Sequence, residues 1–288
     1  FNIYDEEDQL SLVKQSIQEV GIDPKQYTPK AIQTSIKFAK SHLLTPEAFA
    51  EQARRYFDEV AYRVYDRYQQ LMNQSQTVDF DDLLMKVVQL FKGHEEILEK
   101  YQNRYLHVMV DEFQDTNVTQ YELVKMLAGK HRNICVVGDP DQSIYSWRYA
   151  DVRNILSFEK DYPDANVAVL EHNYRSTQTI LDAATKLISA NKKRKPKKLK
   201  TDNEPGLPVM LVETYGEAEE AQYVVKEIDR LISEEKFQPG DLAVMYRVNA
   251  QSRALEEAFI RHGMAYSCLL YTSPSPRDRT RSRMPSSA

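Results

Sequence analysis

Leu10, Val13, Ile17 and Val20 recur at the spacing that lines one face of a helix, so the chain is expected to open helical. Thr28-Pro29 and Thr45-Pro46 each place a capping hydroxyl before a proline suited to a first helical turn. The second pair predicts a long helix with Phe49, Phe57, Val60, Val64, Tyr68 and Leu71 near one face. An aromatic stripe at this spacing is expected to be core rather than a surface for a polymer. Residues 1–75 therefore read as helices only.

From Asp79 the pattern changes to alternating helices and strands, the signature of a layered α/β domain. Helices over residues 80–91 and 94–102 lead to a strand at 106–110, and a helix at 118–128, stopped by Gly129, returns the chain to a strand at 133–137. A third apolar run, 167–170, precedes a polar turn and a helix. Strand 208–213, helix 217–233, strand 241–247 and helix 252–262 then begin a second α/β domain. Residues 263–266 look like the start of another strand, but the Ser-, Pro- and Arg-rich sequence after them cannot continue it. That sequence resembles read-through of a transposase adapter, and residues 267–288 are expected to be a non-native tail.

Composition narrows the class. The 288 residues are 42% hydrophobic, ample core for two or more domains. No run approaches the roughly 18 apolar residues needed to span a bilayer, and the N-terminus lacks the basic and apolar regions of a signal peptide. A soluble, cytoplasmic protein with no membrane partner is expected. Two cysteines make no disulfide framework, Cys135 lies inside an apolar run, and the six histidines lack zinc-ligand spacing. The net charge of −5 argues against coating nucleic acid non-specifically and leaves room for a local basic or aromatic channel. The basic run at residues 192–200 fits a solvated loop as well as a phosphate contact.

The chemistry concentrates in VMVDEFQD at residues 108–115 and ICVVGDPDQ at 134–142. Two apolar runs that each end in acids or amides describe buried parallel strands whose carboxyl ends open onto one crevice, where α/β sheets bind ligands. In nucleoside triphosphate hydrolysis a strand-end Asp holds magnesium and a neighbouring carboxylate activates water, jobs that suit Asp111 and Glu112. The acid doublet alone also fits a two-metal nuclease. Gln142 after the second strand and Arg175 after the third favour hydrolysis, because an amide senses a γ-phosphate and a guanidinium offsets charge in transfer. Tyr174 offers a flat face for a base, and the alternative is that Tyr174 and Arg175 are an ordinary helix-entry pair. Directly after Gln142 stand Tyr145, the only Trp of the chain at 147, and Arg148, which fit a stacking platform for single-stranded bases, although a lone Trp is normally core.

DEFQDT at residues 111–116, VVGDPDQSIYSWR at 136–148, NYRST at 173–177 and YRVNAQSR at 246–253 resemble successive motifs of the superfamily 1 DNA helicases of the UvrD, Rep and PcrA type. The resemblance covers nearly all of residues 1–266 in the expected order. It implies an ATP-dependent 3′-to-5′ helicase built from RecA-like P-loop NTPase motor domains of α/β class, acting on single-stranded and duplex DNA. Residues 1–75 would be a helical insertion in the first motor domain, 76–165 the rest of that domain, and 166–266 the start of the second. By matching position, Asp111 would bind Mg2+, Glu112 would be the catalytic base, Gln142 would read the γ-phosphate of ATP, Tyr174 would stack on adenine and Arg175 would be the arginine finger. Tyr145, Trp147 and Arg148 would face single-stranded DNA.

Two departures qualify the resemblance. Tyr149 stands where the family usually has Gly after Trp-Arg, and a bulky residue there could alter the turn that presents Trp147. No GxxxxGK(S/T) loop occurs, so the residues that cradle the phosphates are missing and the chain reads as an internal fragment, expected to be inactive alone. The alternatives are a motor subunit of a helicase–nuclease and a DNA-binding scaffold without catalysis.

Overall fold

Thr28 and Thr45 cap their helices through Oγ1, which accepts Ala31 N–H at 3.4 Å and Ala48 N–H at 3.3 Å. They start α2 (Pro29–Ser41) and α3 (Pro46–Gln52), after α1 (Glu6–Glu19), which Asp5 caps. The long helix expected after Thr45 is two helices. The chain turns extended at Ala53 and Arg55, and Asp58 accepts Arg55 N–H at 3.0 Å, which opens a separate α4 (Tyr56–Gln74). Residues 1–75 are also not purely helical. A strand β1 (Asn2–Tyr4) pairs in parallel with β2 (Thr77–Asp79), in the register Asn2 to Thr77. Three residues are too few to show a period, and only the partner ladder makes them a strand.

The computed structural model describes residues 1–191, 194, 197–235 and 237–268, so the expected tail lies outside the described residues except for positions 267 and 268. The chain divides into two compact units, Phe1–Leu207 and Pro208–Ala288. No described helix is long and apolar enough to cross a membrane.

In the first unit Val13, Ile17, Ile32, Ile36, Val64, Tyr65 and Tyr68 form one core, so the aromatic stripe of α4 is internal. A buried ion cluster fastens this helical part to the segment that begins at β2. Lys40 of α2 has no exposed side-chain surface, and its Nζ lies 2.6 Å from Asp79 Oδ2 and 2.9 Å from Asp82 Oδ1. Tyr68 OH donates to the same Asp79 oxygen at 2.8 Å, while Asp79 Oδ1 accepts Asp82 N–H and caps α5 (Phe80–Gly93). Lys40 O in turn accepts the Thr119 hydroxyl of α7 (Val118–Ala128) at 2.9 Å.

After α6 (Glu95–Arg104), β3 (Val108–Val110) and β4 (Ile134–Val136) pair in parallel, with α7 between them. Val110, Ile134 and Val136 pack on Phe113, Tyr121, Phe158 and Tyr162, with Phe158 and its neighbours carried by the short helices α8 (Arg153–Leu156) and α9 (Phe158–Asp161). The two strands are shorter than expected and are covered on one face only. Met109 and Cys135, on the other face, are exposed, so the expectation of buried strands holds for one face only. Gly129 ends α7 in the right-handed region, and the left-handed residue of that turn is Arg132.

The expected strands at 167–170, 208–213, 241–247 and 263–266 are not formed. A parallel strand exists only where its N–H and C=O groups meet a ladder partner. Among the described residues the only bridge near the first of these runs is His172 with Lys200, and Val169, Leu211 and Met245 are exposed. The helices of these regions do form: α10 (Gln178–Ile188) in the first unit, then α11 (Glu217–Glu234) and α12 (Ala250–Arg261) in the second. In that second unit Ala221 and Val225 pack on Leu255, Ala258 and Phe259, with Tyr246 at the margin.

Removing one partner of a buried ion cluster leaves the others uncompensated. Lys40→Met is expected to cost about 3–5 kcal/mol in urea unfolding. A loss below about 1 kcal/mol would mean that the two carboxylates do not depend on Lys40.

Asp81, beside the cluster, has its carboxyl pushed up to about 6 by burial and then by the Asp79 charge, with Lys40 and Lys37 opposing. Because the folded value lies above the ordinary one, its contribution to stability is complete below about pH 4 and is lost as pH rises through about 6. Asp81→Asn is therefore expected to gain stability relative to the unsubstituted chain between pH 4 and 7, and unfolding curves at both pH values check it.

Candidate nucleotide and strand site

The acid doublet leaves β3 through a strained turn. Glu112 adopts φ 50° and ψ 39°, the left-handed region, at a cost of about 1–2 kcal/mol for a residue with a side chain. Local bonds hold it there. Asp111 Oδ1 accepts Glu112 N–H at 2.8 Å, and the Gln114 amide donates to Glu112 Oε2 at 2.7 Å. Both carboxylates face solvent.

Gln114 is 1% exposed and joins the two motifs. Its Oε1 accepts Asp139 N–H at 3.0 Å, and Asp139 Oδ2 accepts the Gln142 amide at 2.8 Å. A continuous line of hydrogen bonds thus runs from Glu112 through Gln114 and Asp139 to Gln142. The approach requires Gly138, where an added Cβ would stand 2.5 Å from Gln114 Oε1 and 3.1 Å from Phe113 N. Phe113 N–H bonds Val137 O at 3.0 Å and carries the sheet register into the turn. Sequence reasoning passed over Gln114 and Gly138. Both lie inside the quoted motifs, but nothing in their spacing says that one amide reaches across to the other strand.

Burial alone would raise the Asp139 carboxyl, but hydrogen bonds from Lys197, Gln142 and Asp141 N–H outweigh it and hold the group below the usual carboxylate range. Lys197 pairs with Asp139, and Arg194 lies 3.0 Å from Asp141. The basic run therefore spends these two charges on acids of the second motif, while residues 192, 193, 195 and 196 lie outside the described residues. The same segment holds the third motif, since Lys200 O accepts Asn173 N–H at 2.8 Å and Glu171 O accepts Lys200 N–H at 3.0 Å.

Asn173 Oδ1 caps the turn that carries the remaining nucleotide candidates, accepting Arg175 N–H at 3.0 Å and Ser176 N–H at 2.7 Å. Tyr174 is 83% exposed, its ring 4.3 Å from that of His172. Among the described residues no carboxylate pairs with the Arg175 guanidinium. The structure brings Asp111, Glu112 and Gln142 together through Gln114 and Asp139, and it does not bond Tyr174 or Arg175 to them directly.

Tyr145, Trp147 and Arg148 form a second cluster. The Arg148 guanidinium lies 4.5 Å from the Trp147 ring and 5.4 Å from that of Tyr145, and the two rings are 6.0 Å apart. Trp147 is 66% exposed, so it is surface and not core. The turn beneath it closes as a Schellman motif: Ala150 N–H bonds Tyr145 O at 3.2 Å, and Tyr149 N–H bonds Ser146 O at 3.0 Å. Such a turn needs a left-handed residue after its cap, and Tyr149 supplies it with φ 64°.

No group of three or more His, Cys, Asp or Glu side chains that could hold a metal occurs among the described residues. Asp111 keeps one oxygen outside its bond to Glu112, a donor set of one carboxylate. That fits magnesium, which commonly takes one or two carboxylates and completes its shell with water and substrate phosphates.

Residues 1–163 match the UvrD/REP helicase N-terminal domain, and residues 168–272 match the UvrD-like helicase C-terminal domain. The chain belongs to the UvrD-like helicase family. Among the relatives of this UvrD-like chain is the ATP-dependent DNA helicase PcrA of Bacillus subtilis (strain 168), 47% identical over 93% of the chain and 36% of the relative. The ATP-dependent DNA helicase PcrA of Staphylococcus aureus (strain Mu50) is 46% identical, again over 93% of the chain and 36% of the relative. The chain thus spans about a third of the length of these curated relatives. Its helical content and few strands are those of this UvrD-like sequence as it folds here.

Gln114→Ala leaves Asp139 N–H without its buried acceptor and frees Glu112, and is expected to cost about 1–3 kcal/mol. Gly138→Ala drives a methyl into the same contact and should cost a similar amount. The double variant should lose less than the sum, because both act on one interaction. Additive losses in urea unfolding would show that Gly138 and Gln114 are not coupled.

Proposed function

We propose that this chain forms the water-activating and strand-gripping part of an ATP-dependent 3′-to-5′ DNA helicase, in a polypeptide that also supplies the phosphate-cradling loop. The observation that carries the reading is the hydrogen-bond line from Glu112 to Gln142, which ties the candidate base to the candidate γ-phosphate sensor. The names of the relatives support the same activity. In this reading residues 1–75 are a helical insertion and 76–165 the rest of a RecA-like P-loop NTPase motor domain, with a second such domain from 166 to 266. Single-stranded and duplex DNA are the partners, and the cytoplasm is the setting.

Glu112 accepts the proton of the attacking water, and Gln114 fixes one of its oxygens so that the other faces the water. Asp111 would hold Mg2+, which when bound offsets the phosphate charge. Gln142 gives one amide hydrogen to Asp139 and keeps the second for a γ-phosphate oxygen. Arg175 offsets charge as the phosphoryl group transfers, and Tyr174 stacks on the adenine. Because Asp139 carries Gln142 and heads the loop to Trp147, the state of the phosphate reaches Tyr145, Trp147 and Arg148, which hold bases of a single strand.

In the enzyme that includes the phosphate-binding loop, Glu112→Gln is expected to bind ATP and DNA but to lose nearly all turnover, because an amide cannot take the proton. Arg175→Ala should lower turnover by about a thousandfold or more with a smaller change in ATP affinity. DNA-stimulated hydrolysis assays on both decide the matter. Near-normal rates in Glu112→Gln would sink the assignment of the base, and unchanged rates in Arg175→Ala would leave that arginine as part of a turn only.

A further inference from the structure

The loop that presents Trp147 is held at both ends by the first motif. Ile144 N–H bonds Asp115 Oδ1 at 3.3 Å, and Asp151 N–H bonds Thr116 O at 2.9 Å. Between those ends Tyr149 reaches elsewhere, to helix α2. Its hydroxyl donates to Thr34 O at 2.8 Å, a contact between residues 115 positions apart. Its ring meets Phe38 edge to face at 5.8 Å, and Phe38 in turn lies 4.1 Å from the His42 ring. The same residue occupies the left-handed position of the Schellman turn, which glycine fills without strain. Tyrosine is disfavoured there by its backbone, so its side-chain contacts must compensate, and the two contacts to α2 are the means.

We infer that Tyr149 is a positioning residue that fastens the Tyr145, Trp147 and Arg148 platform to α2, so that the direction of the platform is set by the helical part of the unit as well as by its own loop. The inference rests on the proposed role of that platform in holding a single strand, but the anchoring itself is a mechanical claim that can be read without DNA. Glycine at position 149 would close the same turn and leave the platform without its tie to α2.

Trp147 is the only tryptophan of the chain, so its fluorescence anisotropy and acrylamide quenching report on this loop alone. Two variants weaken the tie from opposite sides, Tyr149→Asn by taking away both contacts and Phe38→Ala by taking away the ring contact. Tyr149→Asn keeps a residue that tolerates the left-handed backbone, and Phe38→Ala acts from α2 without touching the loop. Both are expected to lower the anisotropy and raise the quenching of Trp147. Both should also weaken binding of an oligothymidylate of about 16 nucleotides, by about two- to tenfold, the span of one aromatic contact. The double variant should be no worse than the stronger single one, and Tyr149→Phe should fall between it and the unsubstituted chain. Far-ultraviolet circular dichroism confirms that each variant is folded, and Phe38, 41% exposed, is a mild site should Tyr149→Asn fail that check. Unchanged anisotropy in folded Phe38→Ala and Tyr149→Asn would overturn the anchor. If the unsubstituted chain binds no oligothymidylate while both variants still mobilise Trp147, the anchor stands and the strand-holding reading of the platform fails.

Discussion

The candidate site depends on one buried amide. Gln114 lies between two strand-end turns that the chain reaches separately, and it serves a carboxylate of the first with its nitrogen and a backbone N–H of the second with its oxygen. An amide suits the place because it donates and accepts at once. A carboxylate would repel Glu112, and a hydrocarbon would strand Asp139 N–H. Buried polar groups of this kind are costly unless fully paired, so the geometry is held closely when they are. Glycine at 138 is the matching constraint, since only a residue without Cβ lets the second turn come so near.

Strain and its compensation recur in two turns of the first unit. Glu112 and Tyr149 both occupy left-handed backbone, one in the turn of the acid doublet and the other in the turn of the aromatic platform. Each is held by bonds to neighbours: Glu112 by Asp111 and Gln114, Tyr149 by Thr34 and Phe38. Strained residues persist where the surroundings over-determine them. The buried Lys40 cluster supplies that surrounding for Tyr149. It fixes α2 against the start of α5, and Lys40 O fixes α2 against α7, which comes just after the acid doublet. The platform and the doublet are therefore both linked to α2, the platform through Tyr149 and the doublet through α7.

The basic segment around Lys197 adds a different link. It neutralises Asp139 and Asp141 beside Gln142 and pairs through Lys200 with the turn that carries Tyr174 and Arg175. Composition allowed this run to be a solvated loop or a phosphate contact. Two of its described charges, Arg194 and Lys197, are matched to carboxylates of the second motif, because acids on a half-buried turn need counter-charges close by, and Lys200 lies 3.7 Å from Glu171.

Much of this was legible in the sequence because it is local. Helix starts at Thr28 and Thr45, the core face of α4, the two short strands and the acids and amides at their ends all come from spacing and capping within a few residues. The family resemblance of the motifs is borne out by the family match, and the candidate site residues were read from those motifs. Long-range pairing was not legible. Whether an apolar run becomes a strand depends on a ladder partner, so runs 167–170, 208–213 and 241–247 read as strands and yet stand unpaired here, while Asn2–Tyr4 gives no signal and is paired. Nor could spacing show that Gln114 reaches Asp139, that Lys40 finds two carboxylates, or that Tyr149 touches α2. Those contacts join residues 25, 39, 42 and 115 positions apart, and only the packing of the chain brings their atoms within bonding distance.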